Sequence, residues 1–249
     1  MKGLTFQKPL ELNLQVEGES WNQNSTVTGK LVVRNRGSAT VPLENVGVTL
    51  AVGRLKAVHT KAPNAFKFLV PHAFAAGQEL AVGAEAILEW SFPIEANSQI
   101  TDSYASPFLV YGAGANAEKP GQLQLPVHPE QTIQEFLKAL TITFRFVVKT
   151  TRSAKGRVDV KLAPPAGRAF AALEFLQLSF RFEGDALNLR YSFLVKKVEP
   201  TAVSAEVKID KTEVEQQYEK SEYLTPSGRY GFERIEAGIQ EALLGVERK

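Results

Sequence analysis

The residues that come nearest to ligand chemistry are Gly112-Ala113-Gly114-Ala115-Asn116-Ala117, directly after the apolar run Phe108-Leu109-Val110-Tyr111. A G-x-G-x-x-A stretch behind a strand can cradle a pyrophosphate if a helix begins inside the motif and aims its N-terminus at the anion. Here Lys119-Pro120-Gly121 ends any such helix before one turn is complete, and no strand–helix–strand pattern follows. The run is expected to be a loop joining two strands. His59, His72 and His128 have no other His, Asp or Glu at a spacing suited to ligating a metal. The chain has no cysteine, which removes disulfides, thiolate zinc sites and cysteine nucleophiles. Of the four aspartates, Asp185 suits a turn, and Asp159 and Asp210 suit the polar faces of strands. Serine-elbow, phosphate-loop and calcium-loop motifs do not occur. No catalytic, metal or cofactor residue is nominated, and the chain is not expected to be an enzyme.

Two features remain as candidates for binding a partner. Lys149-Thr150-Thr151-Arg152-Ser153-Ala154-Lys155-Gly156-Arg157 lies between apolar runs ending at Val148 and beginning at Val158. It is expected to form an exposed hairpin loop. Arg152, Lys155 and Arg157 on such a loop could converge on a phosphate or an acidic segment, or simply keep the surface soluble. Trp21 sits in the polar turn Glu19 to Asn24. It is either an exposed contact residue or a side chain tucked back onto the end of a sheet. A second loose basic set, Arg54, Lys56, His59, Lys61 and Lys67, falls in an irregular stretch and is expected to be plain surface.

The elements that must carry these residues are strands. Leu10, Leu12, Leu14 and Val16 alternate with polar residues, as do Val27, Gly29, Leu31 and Val33. Val46 to Val52 repeats the pattern, and Leu80, Val82, Ala84, Ala86, Leu88, Trp90 and Phe92 read as one longer run. Further alternation covers Ile142 to Val148, Val158 to Leu162, Leu176 to Phe182, Leu187 to Val195 and Val203 to Ile209. About ten short strands with turn-rich links point to sandwiches or barrels. Gly184-Asp185 is a two-residue turn that pairs Phe182 with Leu187, Phe180 with Leu189, Arg181 with Asn188 and Ser179 with Arg190. A slip of one residue would put every side chain on the wrong face.

Two stretches depart from this period. Ile133, Phe136, Leu137 and Leu140 mark a short amphipathic helix after Leu125-Pro126-Val127-His128-Pro129, at the boundary of two halves. Phe232, Ile235, Ile239, Leu243 and Val246 mark a C-terminal helix, with Thr225-Pro226-Ser227 as its candidate cap. Its apolar stripe must be buried, on its own lobe or on a second subunit. Lys211 to Glu222 between them is polar, a solvated connector or an edge strand. The expected domains are 1–127, 128–211, and a connector with helix over 212–249.

Composition narrows the function classes. A balance of 29 Lys and Arg against 27 Asp and Glu gives a net charge of +2, too small to imply nucleic acid or an anionic membrane from the whole chain. No apolar stretch approaches the roughly 20 residues that span a bilayer. Met1 to Lys8 lacks the apolar core of an export signal, so a cytoplasmic location is expected.

The order of the strand motifs resembles the arrestin clan, which includes the retromer arrestin-like subunit and the bacterial sporulation-control proteins. Val27-Thr28-Gly29-Lys30-Leu31-Val32-Val33, followed by Leu43 to Leu50, looks like two successive strands of that clan. Trp90-Ser91-Phe92-Pro93-Ile94, then Asp102-Ser103-Tyr104 and Phe108-Leu109-Val110-Tyr111, looks like the stretch that closes its N-terminal sandwich. Leu123 to Pro129 with the helix Ile133 to Leu140 resembles the interlobe crossing of the sporulation-control proteins. Leu173 to Leu178, the Gly184 hairpin and Leu189 to Lys197 resemble their C-terminal lobe. The likeness spans residues 8 to 210 and carries over no catalytic residue.

What it implies is an all-β chain of two antiparallel β-sandwich lobes in tandem, immunoglobulin-like in build, with a short interlobe helix and a C-terminal helix. The implied function is that of a non-enzymatic adaptor or regulatory scaffold, binding protein partners or further copies of itself through loops and sheet edges. An immunoglobulin-like adhesive or carbohydrate-binding module of a secreted system is the alternative, and an enzyme on a β-scaffold the third reading.

Overall fold

In the computed structural model of the protein, residues 1–113, 120–200 and 205–247 are described. The chain divides into two units, Met1–Glu95 with Gln99–His128, and Ala96–Ser98 with Pro129–Lys249.

The first unit is an antiparallel sandwich. One sheet orders β1 (Lys2–Gln7), β2 (Leu10–Val16), β4 (Ser25–Asn35) and β9 (Glu85–Ile94) side by side. The other orders β11 (Gly121–Gln124), β10 (Ala105–Ala113), β6 (Val46–Arg54) and β7 (Phe66–Ala73). Short pairs close the ends: β3 (Trp21–Asn22) with β12 (Val127–His128), and β5 (Val41–Pro42) with β8 (Glu79–Leu80). A brief helix, α1 (Leu55–His59), follows β6. Period-2 patterning decides the faces: Leu10, Leu12, Leu14 and Val16 are all buried, and Leu12, Leu14 and Leu31 of one sheet share a core with Leu50, Leu109 and Tyr111 of the other. The expected long strand from Leu80 is broken, because Gly83 (φ 71°) turns the chain between β8 and β9. The apolar run Phe108 to Tyr111 lies in β10, which pairs antiparallel with β11. Gly114 to Lys119, which include most of the glycine-rich run, lie outside the described residues.

The second unit is built on one five-stranded antiparallel sheet in sequence order: β13 (Val147–Ala154), β14 (Arg157–Ala163), β15 (Leu173–Glu183), β16 (Ala186–Pro200) and β17 (Ala205–Tyr218). The Gly184-Asp185 hairpin has the expected register, with Phe182 opposite Leu187, Arg181 opposite Asn188 and Ser179 opposite Arg190. The sequence reading places a sandwich here. Among the described residues the second layer is helical instead, within an architecture that remains mostly β and antiparallel.

The interlobe helix α2 (Gln131–Ile142) begins where Glu130 accepts a hydrogen bond from the Thr132 N–H. It buries Ile133, Phe136 and Leu140, and the Phe136 ring meets Phe180 at 6.1 Å and Tyr218 at 5.1 Å. The helix runs on to Ile142, where alternation had suggested a strand. Ile142 is exposed, and the chain turns so that the Phe146 N–H reaches the Leu140 carbonyl. After the short α3 (Lys220–Tyr223), α4 (Phe232–Glu247) packs on α2 and β17 and buries Ile235, Ile239, Ala242 and Leu243. Thr225 does not cap it; its hydroxyl and the Arg229 backbone close a separate turn, and the helix starts five residues beyond Ser227. The stretch after Lys211 is edge strand β17 as far as Tyr218, so it belongs to the sheet rather than to a connector. Ala96–Ser98 also belongs to this unit: Asn97 exchanges two hydrogen bonds, of 2.7 and 3.0 Å, with the backbone of Phe182.

Candidate functional site

One face of the second unit's sheet is apolar and covered by helices, so its other face must meet solvent. Register aligns Arg152, Asp159, Ser179, Arg190 and Glu215 as direct cross-strand neighbours on β13 to β17. Beside it runs a second row, Thr150, Lys161, Gln177, Ser192 and Glu213. Opposite charges facing one another across strands stabilise such rows modestly. Arg190 Nε donates to Glu215 at 2.7 Å, Arg157 lies 3.1 Å from Asp159, and Arg181 lies 3.6 Å from Glu183. Ser179 donates to Asp159. The Lys211 ammonium and then the Ser192 hydroxyl hold the Glu213 carboxyl below the usual carboxylate range.

Ser179, Arg190 and Glu215 of the first row line an open concavity of about 640 Å³. Lys155, Arg157, Arg181 and Arg190 supply four cations to its walls, against the carboxylates of Glu183 and Glu215. All four stand on exposed or half-exposed positions, which suits a surface that exchanges its own weak ion pairs for those of a partner. Guanidinium groups held on strands present fixed forks to carboxylates or phosphates, with little ordering cost.

Lys155 and Arg157 therefore meet at one site, while Arg152 lies outside the concavity, at the β13 end of the row that contributes Ser179, Arg190 and Glu215 to it. They are not on a long loop. β13 continues to Ala154, and the connection is the two-residue turn Lys155-Gly156, both at positive φ (54° and 69°). Pairing with β14 satisfies a backbone that the basic composition alone made look irregular. Trp21 is 9% exposed and belongs to the first unit's core, its indole packed over Gly18. It is the tucked-back side chain of the two alternatives, and it offers no contact surface. The sequence reading did not nominate Arg181 and Arg190. Their signal was present, since the hairpin register already put both on the polar face.

The histidines stay apart in kind: His59 ends α1, His72 is on β7, His128 is on β12, and all three are exposed. Among the described residues no group of three or more His, Cys, Asp or Glu could hold a metal ion, and no helix is long and apolar enough to cross a membrane.

No family model matches the chain, and no curated relative matches it in sequence. A DNA glycosylase of Pseudomonas fluorescens, AlkC, aligns with 48% of this chain and 30% of its own at 12% identity and a TM-score of 0.30, too low to carry any argument. The sporulation control protein Spo0M of Bacillus subtilis aligns with 95% of this chain and 98% of its own, at a TM-score of 0.66 and 12% identity. At that identity the likeness is one of fold, and the chain has the arrestin-like β architecture of that sporulation control protein.

Proposed function

We propose that this chain is a non-enzymatic, cytoplasmic adaptor or regulatory scaffold, which engages protein partners through the polar face of β13 to β17. The observation that carries this reading is the assembly of Arg157, Arg181 and Arg190 on β14 to β16, with Lys155 in the turn before β14, around one open concavity on the face of the sheet opposite to the core. A shallow, charged, solvent-filled surface suits an acidic protein segment better than it suits a small substrate, which needs enclosure. Arg152 extends the surface along the same row, and β13, an edge strand of this sheet, offers backbone groups for an added strand. A fold shared with a protein described as controlling sporulation supports a regulatory role.

The test is a photo-reactive residue at Asn188, in the concavity, expressed in the native host. A discrete protein adduct, lost when Arg181→Glu and Arg190→Glu are combined, is the expected result. An adduct with a second copy of the chain would make the partner homo-oligomeric. Absence of any protein adduct, together with a small molecule bound tightly by the purified chain, would overturn the reading.

A further inference from the structure

The small net charge of the whole chain hides an uneven distribution in the first unit. Between Glu44 and Glu79 there is no acidic side chain at all, while Arg54, Lys56, Lys61 and Lys67 fall within that window. The fold places these four on or beside α1 and edge strand β7, with Lys67 on the face of β7 opposite to Phe66 and Phe68. Arg54 ends β6 and its N–H bonds the Ala65 carbonyl. Leu55 and Val58 of α1 pack, with Phe66, onto Ala51, Phe108 and Val110 of the outer sheet face. That packing fixes the helix with Lys56 and His59 turned to solvent. All four cations are exposed, and none forms an ion pair within the described residues. Asp102, the carboxylate beside this surface, is already engaged by the N–H groups of Tyr104 and Ala105 and by Gln99. Glu89 and His72 share a separate concavity at the far end of β7.

The same edge of the sandwich exposes apolar side chains. Phe68, Leu69 and Val70, consecutive on edge strand β7, straddle its two faces: Phe68 stands beside Ala51 on the face that α1 covers, Val70 beside Leu50 on the other, and they are 42%, 45% and 48% exposed. Tyr104, whose carbonyl accepts the Leu55 N–H, is 60% exposed. An exposed apolar edge ordinarily invites strand addition. This edge is interrupted, however. The register shift between Leu50 and Ala51 leaves Leu69 without a partner on β6, and Pro71 two residues on has no N–H to offer. A ladder of main-chain hydrogen bonds needs a regular row, whereas lipid headgroups need only cations, and the acyl boundary needs only apolar tips.

We propose that the sandwich edge formed by β7, with α1 beside it, docks edge-on and peripherally on an anionic lipid bilayer, with Phe68, Leu69 and Val70 from the two faces of the strand and Tyr104 entering the interface and Arg54, Lys56, Lys61 and Lys67 held at the headgroups. Each basic side chain near an anionic surface is worth about fivefold in partitioning, and long-range attraction weakens as salt shortens the screening length.

The purified full chain is tested by flotation with vesicles of phosphatidylcholine alone, and of phosphatidylcholine with phosphatidylserine at three to one. Binding to the mixed vesicles at low salt is expected, with at least tenfold less on pure phosphatidylcholine and a steep loss as salt is added. Lys56→Glu combined with Lys67→Glu should lower binding at least tenfold. Phe68→Ser should remove the part that survives high salt. Circular dichroism spectra matching the unaltered chain would establish that these surface variants fold. Arg181→Glu with Arg190→Glu in the second unit should leave flotation unchanged, which separates this proposal from the adaptor reading. Equal binding to both vesicle types, no binding at low salt, or charge-reversed variants that float as well as the original would overturn it. So would binding of a glutamate-rich extended peptide at this face with no binding to vesicles.

Discussion

Gly29 on β4 lies directly opposite Trp90 on β9, and a Cβ at position 29 would stand 2.5 Å from indole Cζ2 and run into the Gln15 carbonyl on the other side. The glycine in the alternating run Val27 to Val33 is thus a packing residue, filled from across the strand by the indole. Gly29→Ala should lower the urea midpoint by an amount equivalent to about 1–3 kcal/mol, the usual cost of overpacking a close-packed core. An unchanged midpoint would mean that the sandwich yields at this point, and that the indole does not require the glycine.

Gly238 plays a comparable part in α4. An added Cβ there would collide with the Tyr218 hydroxyl, which donates to Gln216 Oε1 at 2.6 Å, while Gln216 Nε2 donates to the Gly238 carbonyl at 3.0 Å. Exchanging a helical glycine for alanine ordinarily gains up to about 1 kcal/mol. Gly238→Ala is expected to lose stability instead, and to lose less or none in a Tyr218→Phe background. A double-mutant cycle on thermal unfolding measures the coupling, and strict additivity would show that the two positions do not clash.

Phe136 joins α2 to the sheet through Phe180 and Tyr218 and has no exposed surface. Phe136→Ala should cost about 3–5 kcal/mol, as a large core side chain removed from a site that cannot fully collapse. Phe6→Ser, at a position 63% exposed on β1, should stay within about 0.5 kcal/mol. Comparable losses from both substitutions in chemical denaturation would contradict the assignment of α2 as the layer that covers the sheet.

Tyr223 supplies a pH dependence. Burial, and then the charges of Glu130 and Asp185, push its phenol up to about 12, and its hydroxyl donates to the Asp185 carbonyl at 3.0 Å. The unfolded phenol ionises near 10. Because the folded value is the higher one, the stabilisation is fully present below pH about 10 and is lost as pH rises from about 10 through 12. Tyr111, Tyr191, Tyr218 and Tyr230 are raised by burial in the same direction, so the whole chain should weaken in alkali. Tyr223→Phe should remove its share of the slope in urea midpoints taken across that window. A slope identical to that of the unaltered chain would show that the phenol is not protected.

The site itself was half legible. Lys155 and Arg157 stand out in any reading of charge, and the Gly184 hairpin fixes Arg181 and Arg190 on a polar face by simple alternation. What joined them was the pairing of β14 with β15, which brings residues about 20 apart in sequence into adjacent rows. The basic run around Arg152 looked like a loop, because its polar composition carries no apolar alternation on an edge strand that is exposed on both faces. Trp21 looked exposed because its neighbours are polar, yet Pro126 and His128, a hundred residues on, bond the backbone of the β3 stretch and seat the ring in the core.

By itself the sequence determined what is local: period-2 faces, the hairpin register at Gly184, the stripe on α2 and the stripe on α4, since each follows from backbone geometry repeating along neighbouring residues. Tertiary structure alone decided which distant surfaces fill one another. It chose helices rather than a second sheet to cover the five-stranded layer, set α4 on α2, carried Asn97 to the backbone of Phe182, and collected the unpaired cations of α1 and β7. An apolar stripe states only that it must be covered. The partner is chosen by shape and volume, which no run of adjacent residues contains.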